Sequence, residues 1–394
     1  MLPYLVRVLG VEQYGLIAFA QAIAQYFVTA TDYGFNFSAT RAIAQHREDK
    51  KEVSRVFWTV LTIKGFLTLL GAVVLGAAVV YIPRLHSSAS VYFAAYVGVI
   101  GNALFPQWLF QGMERMRSIS IITGLAKLAS ALLVVLFVRG PGDTFLAALL
   151  LSVGFLIAGI VGVVVALRNH VSHFVVPSRG DIHGSLSEGR HLFLTTAAVS
   201  LYSNTNTFIV GILAGNEQAG YFSLADKIIR AATGLIAPMI QASYPHTIRL
   251  MSQSRDAALG FIRKTIERSA GVGLLVGLCI VVSAKPLAHI AFRQNAFAVV
   301  ALVRWLSLFP VLAAINYILG VLALIPFGFD KSQSRLLLAV GMVNVGIGFI
   351  FIPRYGALGG VIAMNVIEVL QIIGSIVILV RGGVGIFSRA KVPA

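Results

Sequence analysis

This 394-residue chain is short of charge: Asp, Glu, Lys and Arg supply 12% of it and hydrophobic residues 58%, against about 25% and 45–50% in soluble domains. That deficit excludes an ordinary water-soluble fold. Cysteine is nearly absent. The single Cys279 excludes an intrachain disulfide and, inside an apolar run, reads as a small apolar residue. No glycine-rich loop ends in Gly-Lys-Ser or Gly-Lys-Thr, so nothing indicates direct use of ATP. His170 and His173 stand three apart in a basic segment without a cysteine or carboxylate array, which argues against a metal site. Gly271, Gly273 and Gly277 read as close helix packing rather than phosphate binding. Neither a cofactor nor a catalytic constellation emerges.

What is present in quantity is apolar runs of about 20 residues, the length that crosses about 30 Å of hydrocarbon. Backbone groups in lipid must be satisfied internally, so such runs are helices. The spans read as Gln13–Phe35, Phe57–Ile82, Ser90–Gln111, Ile119–Val138, Thr144–Leu167, His191–Leu213, Ala219–Ala242, Ile266–Ala284, Ala296–Ile325, Leu336–Ile352 and Ala357–Val380. The expected fold is an all-α polytopic membrane protein.

An internal echo organises these spans. Gly10, Glu12, Gln13, Gly15, Ala20 and Ile23 reappear 205 residues later as Gly215, Glu217, Gln218, Gly220, Ala225 and Ile228. Two related halves are the mark of a secondary transporter whose site lies between repeats. The halves are expected as an N-terminal lobe, residues 1–178, and a C-terminal lobe, residues 179–394, six helices each, related by a pseudo-two-fold axis. The span His191–Leu213 shifted back by 205 begins before Met1, leaving Leu2–Leu9 as its tail, so the first helix is expected to be truncated. A signal peptide does not fit, because the basic leader and small-residue cleavage site are missing and the apolar run is short.

The net charge of +16 would suit nucleic acid, but in a membrane protein the placement of Lys and Arg is what informs. Loops on one side carry 20 of the 31, including Arg41, Arg47, Lys50, Lys51, Arg55, Arg115, Arg117 and the Arg249–Arg268 group; the other side has Arg7, Arg84, Arg139, Lys285, Arg293 and Arg354. The rich side is cytoplasmic by the positive-inside rule, which puts both ends of a twelve-span chain there. The charge is topology, with no nucleic-acid partner implied.

Five cations fall within spans: Lys64, Lys127, Lys227, Arg230 and Arg304. A charge at the bilayer centre costs roughly 2.5–3.5 kcal/mol on insertion scales and usually faces a bundle interior or wet cavity. Lys64 lies near a span end, where snorkelling is as good a reading as function. Lys127 and Arg304 suit a cavity, or else a buried structural pair. At 100° per residue, Gln21, Gln25, Thr29, Asp32 and Asn36 fall within an arc of about 80°, and so do Ser223, Asp226, Arg230, Thr233 and Gln241. Thr196, Ser200, Ser203 and Thr207 form a third stripe. The stripes point to a solvated cavity at the repeat interface, or to interhelical hydrogen bonds. Asp226 either takes part in proton coupling or neutralises Arg230 one turn away. Glu368 is a further acid in the last span. Pro106 and Pro310 interrupt equivalent spans, either as flexing points or as ordinary membrane-helix prolines.

The run Pro3-Tyr4-Leu5, Arg7-Val8-Leu9-Gly10, Tyr14-Gly15, Tyr26-Phe27, Asp32-Tyr33-Gly34-Phe35 and Ser38-Ala39-Thr40-Arg41 resembles the O-antigen flippases. These form part of the polysaccharide transporter family of the multidrug, oligosaccharidyl-lipid and polysaccharide exporter superfamily. The resemblance implies two six-helix lobes around a central cavity, alternating access, and a cargo of undecaprenyl-diphosphate bearing an oligosaccharide repeat unit. It implies the bacterial inner membrane, a transporter rather than an enzyme, and a polysaccharide polymerase and chain-length regulator as candidate partners. Arg230, Lys227, Lys127, Arg304 and Lys64 would then face the diphosphate, Gln21, Gln25 and Asn36 the sugar hydroxyls, and Asp32 and Asp226 ion coupling. An organic-cation antiporter of the same superfamily is the first rival, although it should show an acidic cavity. A membrane polymerase or ligase is the second, although it would need a large outer loop, and the longest loop, Arg168–Arg190, is on the basic side.

Overall fold

The computed structural model describes residues 1–234, 236–292 and 296–386, apart from the side chains at 195, 202–204, 237–238, 241–242, 287, 289–292 and 296. Seventeen α-helices form in these residues, and no strand does. They are α1 (Leu2–Leu9), α2 (Val11–Asp32), α3 (Phe35–Gln45), α4 (Lys50–Tyr81), α5 (Pro83–His86), α6 (Ala89–Leu104), α7 (Gln107–Gly112), α8 (Met116–Phe137) and α9 (Thr144–Asn169). Then come α10 (Arg179–Ala214), α11 (Asn216–Thr233), α12 (Ile236–Gln253), α13 (Arg255–Phe292), α14 (Ala296–Trp305), α15 (Phe309–Ile318), α16 (Asp330–Tyr355) and α17 (Ala357–Arg381). The chain divides into two compact units, residues 1–200 and 201–394, and the division falls inside α10.

Eight segments among the described residues are long and apolar enough to cross a membrane. The other three expected spans, Gln13–Phe35, His191–Leu213 and Ala219–Ala242, are those bearing the polar stripes. Their Gln, Ser, Thr and charged residues hold down the hydropathy of α2 and α11, and part of α10 lies outside the described side chains. The crossing helices leave rows of large apolar side chains uncovered by protein. On α13, for example, Leu274, Leu275, Leu278 and Val282 are 58–70% exposed. In water such patches would drive association; around a transmembrane helix they meet acyl chains.

The 205-residue echo has a backbone counterpart. Gly10 (φ 84°) separates α1 from α2, and Gly215 (φ 95°) separates α10 from α11, each in a conformation that Gly adopts readily and L side chains seldom do. The repeated glutamines act as acceptors in both units. Thr144, the first residue of α9, donates its hydroxyl to Gln13 Oε1 at 3.1 Å. The backbone N–H of Ala357, the first residue of α17, donates to Gln218 Oε1 at 2.9 Å. Gln218 therefore meets a backbone donor in the first turn of α17, where such donors lack intrahelical partners, and Gln13 meets a side-chain hydroxyl in the first turn of α9.

Several expected spans change shape. Gln13–Phe35 ends at Asp32, because Tyr33 (φ 41°) and Gly34 (φ 80°) turn the chain into α3. Here α10 crosses so closely that a Cβ on Gly34 would lie 2.7 Å from Leu192 Cβ, and the Tyr33 ring stacks on Phe193 at 4.9 Å. Ala219–Ala242 likewise divides into α11 and α12 around Gly234. The supposed loop Arg168–Arg190 is helical from Arg179 onward. Ser178 and Asp181 start that helix reciprocally: Asp181 N–H donates to Ser178 Oγ (3.1 Å), and Ser178 N–H to Asp181 Oδ2 (3.0 Å). Phe105, in extended conformation, and Pro106 end α6, whereas Pro310 opens α15 behind a single 3₁₀ turn with helical dihedrals on both sides, so the first expected interruption is a break and the second only a local tightening. Gly273 and Gly277 lie against the backbone of Val311 and Ser307, as close packing requires, while Gly271 faces open space.

Candidate functional site

In the first unit the stripe of α2 feeds two polar groups. Asp32, at the end of α2, accepts from Lys64 Nζ of α4 at 2.7 Å and from Asn36 Nδ2 of α3 at 3.3 Å, across the Tyr33–Gly34 break. Lys64 also donates to the Asn102 carbonyl of α6 at 3.4 Å. Its side chain is only 2% exposed, against 20% for Asp32. Snorkelling is therefore the wrong reading of Lys64. The ammonium is turned sideways into the unit, onto Asp32 and the Asn102 carbonyl, rather than along α4 toward its exposed first turn.

Asn102 also faces a cavity of about 540 Å³, lined on its polar side by Gln21, Asn102, Gln107, Thr123, Lys127 and Ser130. Its other walls are aromatic and aliphatic, among them Phe105, Ile119 and Phe155. Lys127 is accessible there, so one cation in a half-apolar pocket stands beside the buried Lys64–Asp32 pair, with Asn102 belonging to both. Gln25 is exposed on the same helix as Gln21. Thr29 answers to the packing alternative, because its buried hydroxyl donates to Ser200 Oγ of α10 at 3.1 Å.

A second cavity of about 450 Å³ lies among α3, α4 and the start of α10, at the basic end of the unit. Its arginines are already engaged. Arg41 meets Glu188 at 3.8 Å, and Arg55 meets Glu52 at 2.6 Å and Asp181 at 3.5 Å. The Asp181 carboxyl is held below its ordinary value, first by hydrogen bonds from the Ser178 hydroxyl and N–H and then by Arg55. Beside this end His170 is pushed below the usual imidazole value by burial, and further by Arg115 and Lys50.

In the second unit Arg230 Nε meets both oxygens of Asp226 at 2.8 Å along one turn of α11. Arg230 is 46% exposed and Asp226 15%. Lys227 is exposed on the same helix, and Arg304 is exposed in the last turn of α14, which packs on α11. Ser223 is buried, and Thr233 returns its hydroxyl to the Ile229 carbonyl. The stripe members Ser203 and Gln241 lie outside the described side chains. The structure thus brings together Asp32, Lys64 and Asn36; separately Gln21 and Lys127; and separately Asp226 and Arg230.

The cavity residues Asn102, Gln107, Thr123 and Ser130 escaped the sequence reading. The signal was an amide on either side of Pro106, where a helix break frees backbone for a cavity wall.

With this geometry in place, comparison with known proteins gives a consistent answer. A family model described as polysaccharide biosynthesis protein matches residues 1–251. The chain belongs to that family. Two relatives carry the name "Putative O-antigen transporter". The protein of Escherichia coli (strain K12) is 28% identical, covering 93% of this chain and 89% of its own. That of Shigella dysenteriae is 29% identical, covering 95% and 93%. Among solved structures, the lipid II flippase MurJ in an inward closed conformation aligns with a TM-score of 0.74 at 12% identity, covering 98% of this chain and 87% of its own. An inward-facing multidrug resistance MATE transporter of the MOP superfamily aligns at 0.72 and 16%, covering 98% and 96%. The family member described here is therefore a multi-pass membrane protein with the MOP-type fold, and O-antigen transport is what the names of its two relatives state.

Proposed function

We propose that this protein flips undecaprenyl-diphosphate-linked oligosaccharide, an O-antigen or related repeat unit, across the bacterial inner membrane by alternating access. The observation that carries the reading is the first unit's cavity: an accessible Lys127 with Gln21, Asn102 and Gln107, backed by a buried ion pair. An anionic head with many hydroxyls needs a cation and neutral amides in a partly dry site, where each hydrogen bond to a charged group contributes about 1.5–3 kcal/mol. The apolar part of the lining suits a cargo with a hydrocarbon tail in the bilayer.

In the second unit Arg230 and Lys227 supply diphosphate contacts, Arg230 through the flat donor edge that suits phosphate. Arg304 and Lys64 would add positive potential, and Gln25 and Asn36 sugar contacts. Ion coupling fits the two carboxylates. A diphosphate arriving at Arg230 or Lys64 competes with Asp226 or Asp32 for the same cation, and a carboxylate so released takes up a proton or a metal cation. Cargo binding and ion binding then favour each other. Both ends of the full twelve-span form would lie on the cytoplasmic side by the positive-inside rule, and a polymerase and chain-length regulator would act on the delivered repeat unit.

The test is transport of labelled undecaprenyl-diphosphate oligosaccharide in proteoliposomes. The wild-type chain should flip it, with Lys127→Ala and Arg230→Ala slower by about 10- to 150-fold, the kinetic equivalent of one charge-assisted bond. Wild-type rates in both variants would overturn the cationic-cavity reading. Exchange of an organic cation for protons, without lipid movement, would replace it with the antiporter.

A further inference from the structure

Between α4 and α6 the first unit carries an apolar groove of about 500 Å³, on the opposite side of α6 from the cavity of Lys127. Leu61, Gly65, Leu69 and Ala72 of α4 line it, with Phe93 and Ile100 of α6. Gly65 makes the room, since a Cβ added there would meet nothing within 4 Å. The hydroxyls of the lining are spent on backbone. Tyr96 donates to the Thr68 carbonyl at 2.6 Å, and Thr68 donates to the Lys64 carbonyl at 2.7 Å. The groove therefore suits hydrocarbon. From Leu61 to Ala72 it follows about 16 Å of helix, roughly one leaflet's half of about 30 Å of hydrocarbon.

Its mouth, at the basic end of the unit, is charged and aromatic. At 100° per residue, Lys51 and Trp58 fall in the same arc of about 80° on α4 as Leu61, Gly65, Leu69 and Ala72. The linker from α9 to α10 is strapped over this face. Ser172 N–H donates to Ser54 Oγ at 3.0 Å, and Trp58 Nε1–H donates to the His173 carbonyl at 3.1 Å. Phe174 packs edge-on against Trp58 at 4.7 Å, yet Phe174 and Val176 stay 67% and 75% exposed. A fixed linker that turns apolar side chains outward beside a tryptophan belongs at the membrane interface. Lys50 and Lys51 are exposed there, and neither forms an ion pair among the described residues. Of the neighbouring acids, Glu52 lies about 120° round the helix from Trp58 and meets Arg55 at 2.6 Å. Asp49 caps α4 by accepting from the Lys51 and Glu52 N–H groups.

We propose that the groove and its mouth bind an anionic glycerophospholipid, with an acyl chain along α4 from Leu61 to Ala72 and the phosphate diester at Lys50 and Lys51. The length of the groove matches an acyl chain of one leaflet, and the unpaired lysines at its mouth favour an anionic headgroup over a zwitterionic one. The tail of the proposed cargo fits less well, because the head of that cargo is assigned to the cavity across α6. The phospholipid is a ligand of the first unit in its own right, so the stability of the protein should depend on the anionic lipid around it.

The experiment is native mass spectrometry of the purified full chain in detergent, without glycan, titrated with phosphatidylglycerol or with phosphatidylcholine of the same acyl chains. The first phosphatidylglycerol adduct should form about 30-fold more tightly than that of phosphatidylcholine, roughly fivefold for each lysine. Lys50→Ala combined with Lys51→Ala should erase that preference. Gly65→Leu, whose side chain would occupy the groove, should weaken both lipids by about tenfold or more, the loss of roughly two buried methylenes. Melting midpoints in lipid-free detergent check that each variant is folded, and phosphatidylglycerol should raise the midpoint of the unmodified chain far more than that of Gly65→Leu. Equal binding of the two phospholipids by the unmodified chain, or unchanged phosphatidylglycerol binding in either folded variant, would overturn the proposal. So would binding of undecaprenyl phosphate without binding of phosphatidylglycerol, which would make the groove a seat for the tail of the cargo. No glycan and no flipping enter the measurement, so this proposal and the flippase reading fail separately.

Discussion

Removing either partner of the Lys64–Asp32 pair should destabilise the protein, and the two removals should not be equal. Asp32→Ala leaves the Lys64 ammonium 2% exposed, facing the Asn102 carbonyl at 3.4 Å as its remaining contact. Leaving a buried charge uncompensated costs about 3–5 kcal/mol. Because Asp32 is itself 20% exposed, removing it admits some water, and the lower figure applies: about 3 kcal/mol, or roughly 150-fold in the folding equilibrium. Lys64→Met keeps the volume of the stem and leaves a carboxylate that already reaches water and still accepts from Asn36 at 3.3 Å. Its cost should be about 1 kcal/mol. Replacing both, with Asp32→Leu and Lys64→Met, should fall below the Asp32→Ala loss, since a well-packed apolar pair often matches a buried ionic one. Equilibrium unfolding in mixed micelles, followed by tryptophan fluorescence, measures all three. Equal losses for the two single variants, or a larger loss for Lys64→Met, would refute the argument from unequal burial.

Gln218→Leu strips the Ala357 N–H of its acceptor and should cost about 1–3 kcal/mol, whereas Gln13→Leu should cost less than about 1 kcal/mol, because the Thr144 hydroxyl also donates to the Pro141 carbonyl at 2.8 Å. Hydrogen exchange should quicken at the first turn of α17 more than at that of α9. Ser178→Ala should cost about 1 kcal/mol of helix start and release Asp181 toward its ordinary value. The depressed Asp181 contributes stability above its unfolded pKa of about 3.8, lost as pH falls through the lower folded value, so an acid melting series should show that loss shrink in Ser178→Ala. His170 has its folded value lowered by burial, so below about pH 6.5 the unfolded chain binds more protons and stability falls with acid. His170→Gln should flatten the melting midpoint between pH 7.5 and 5.5, and an unchanged slope would count against a buried neutral imidazole.

Lengths and apolar runs carried most of the fold, since lipid permits so few backbone solutions. The breaks were harder to read. Pro106 announces its own, but the turn at Tyr33 and Gly34 rests on a tyrosine in a left-handed conformation and on its stacking with Phe193, 160 positions away in the chain. Helical phase gathered Gln21, Gln25 and Asp32 correctly onto one face of α2, yet it could not tell which of them would meet a partner. Asp32 meets Lys64, Thr29 meets Ser200, and Gln21 opens onto a cavity whose other polar members come from α6, α7 and α8. Nothing in the sequence joined Glu368 to Asn316, which lies 52 positions earlier on another helix.

The internal repeat preserves scaffold and varies chemistry. Gly10 and Gly215 keep both residue and role between the helices they separate, and Gln13 and Gln218 keep the residue and an acceptor at the first turn of α9 and of α17. Positions on the polar face diverge: Gln21 and Gln25 in the first unit stand where Asp226 and Arg230 stand in the second. Neutral amides in one and a self-compensating pair in the other are different answers to the cost of polarity in a membrane. The amides need only hydrogen bonds, while the pair sets a guanidinium 46% exposed beside its carboxylate. On the proposed flippase reading, Arg230 is the second unit's contact for the cargo's diphosphate. Arg230→Gln should therefore weaken cargo binding more than Gln25→Ala, and the ratio of their dissociation constants for the diphosphate lipid should fall as salt rises.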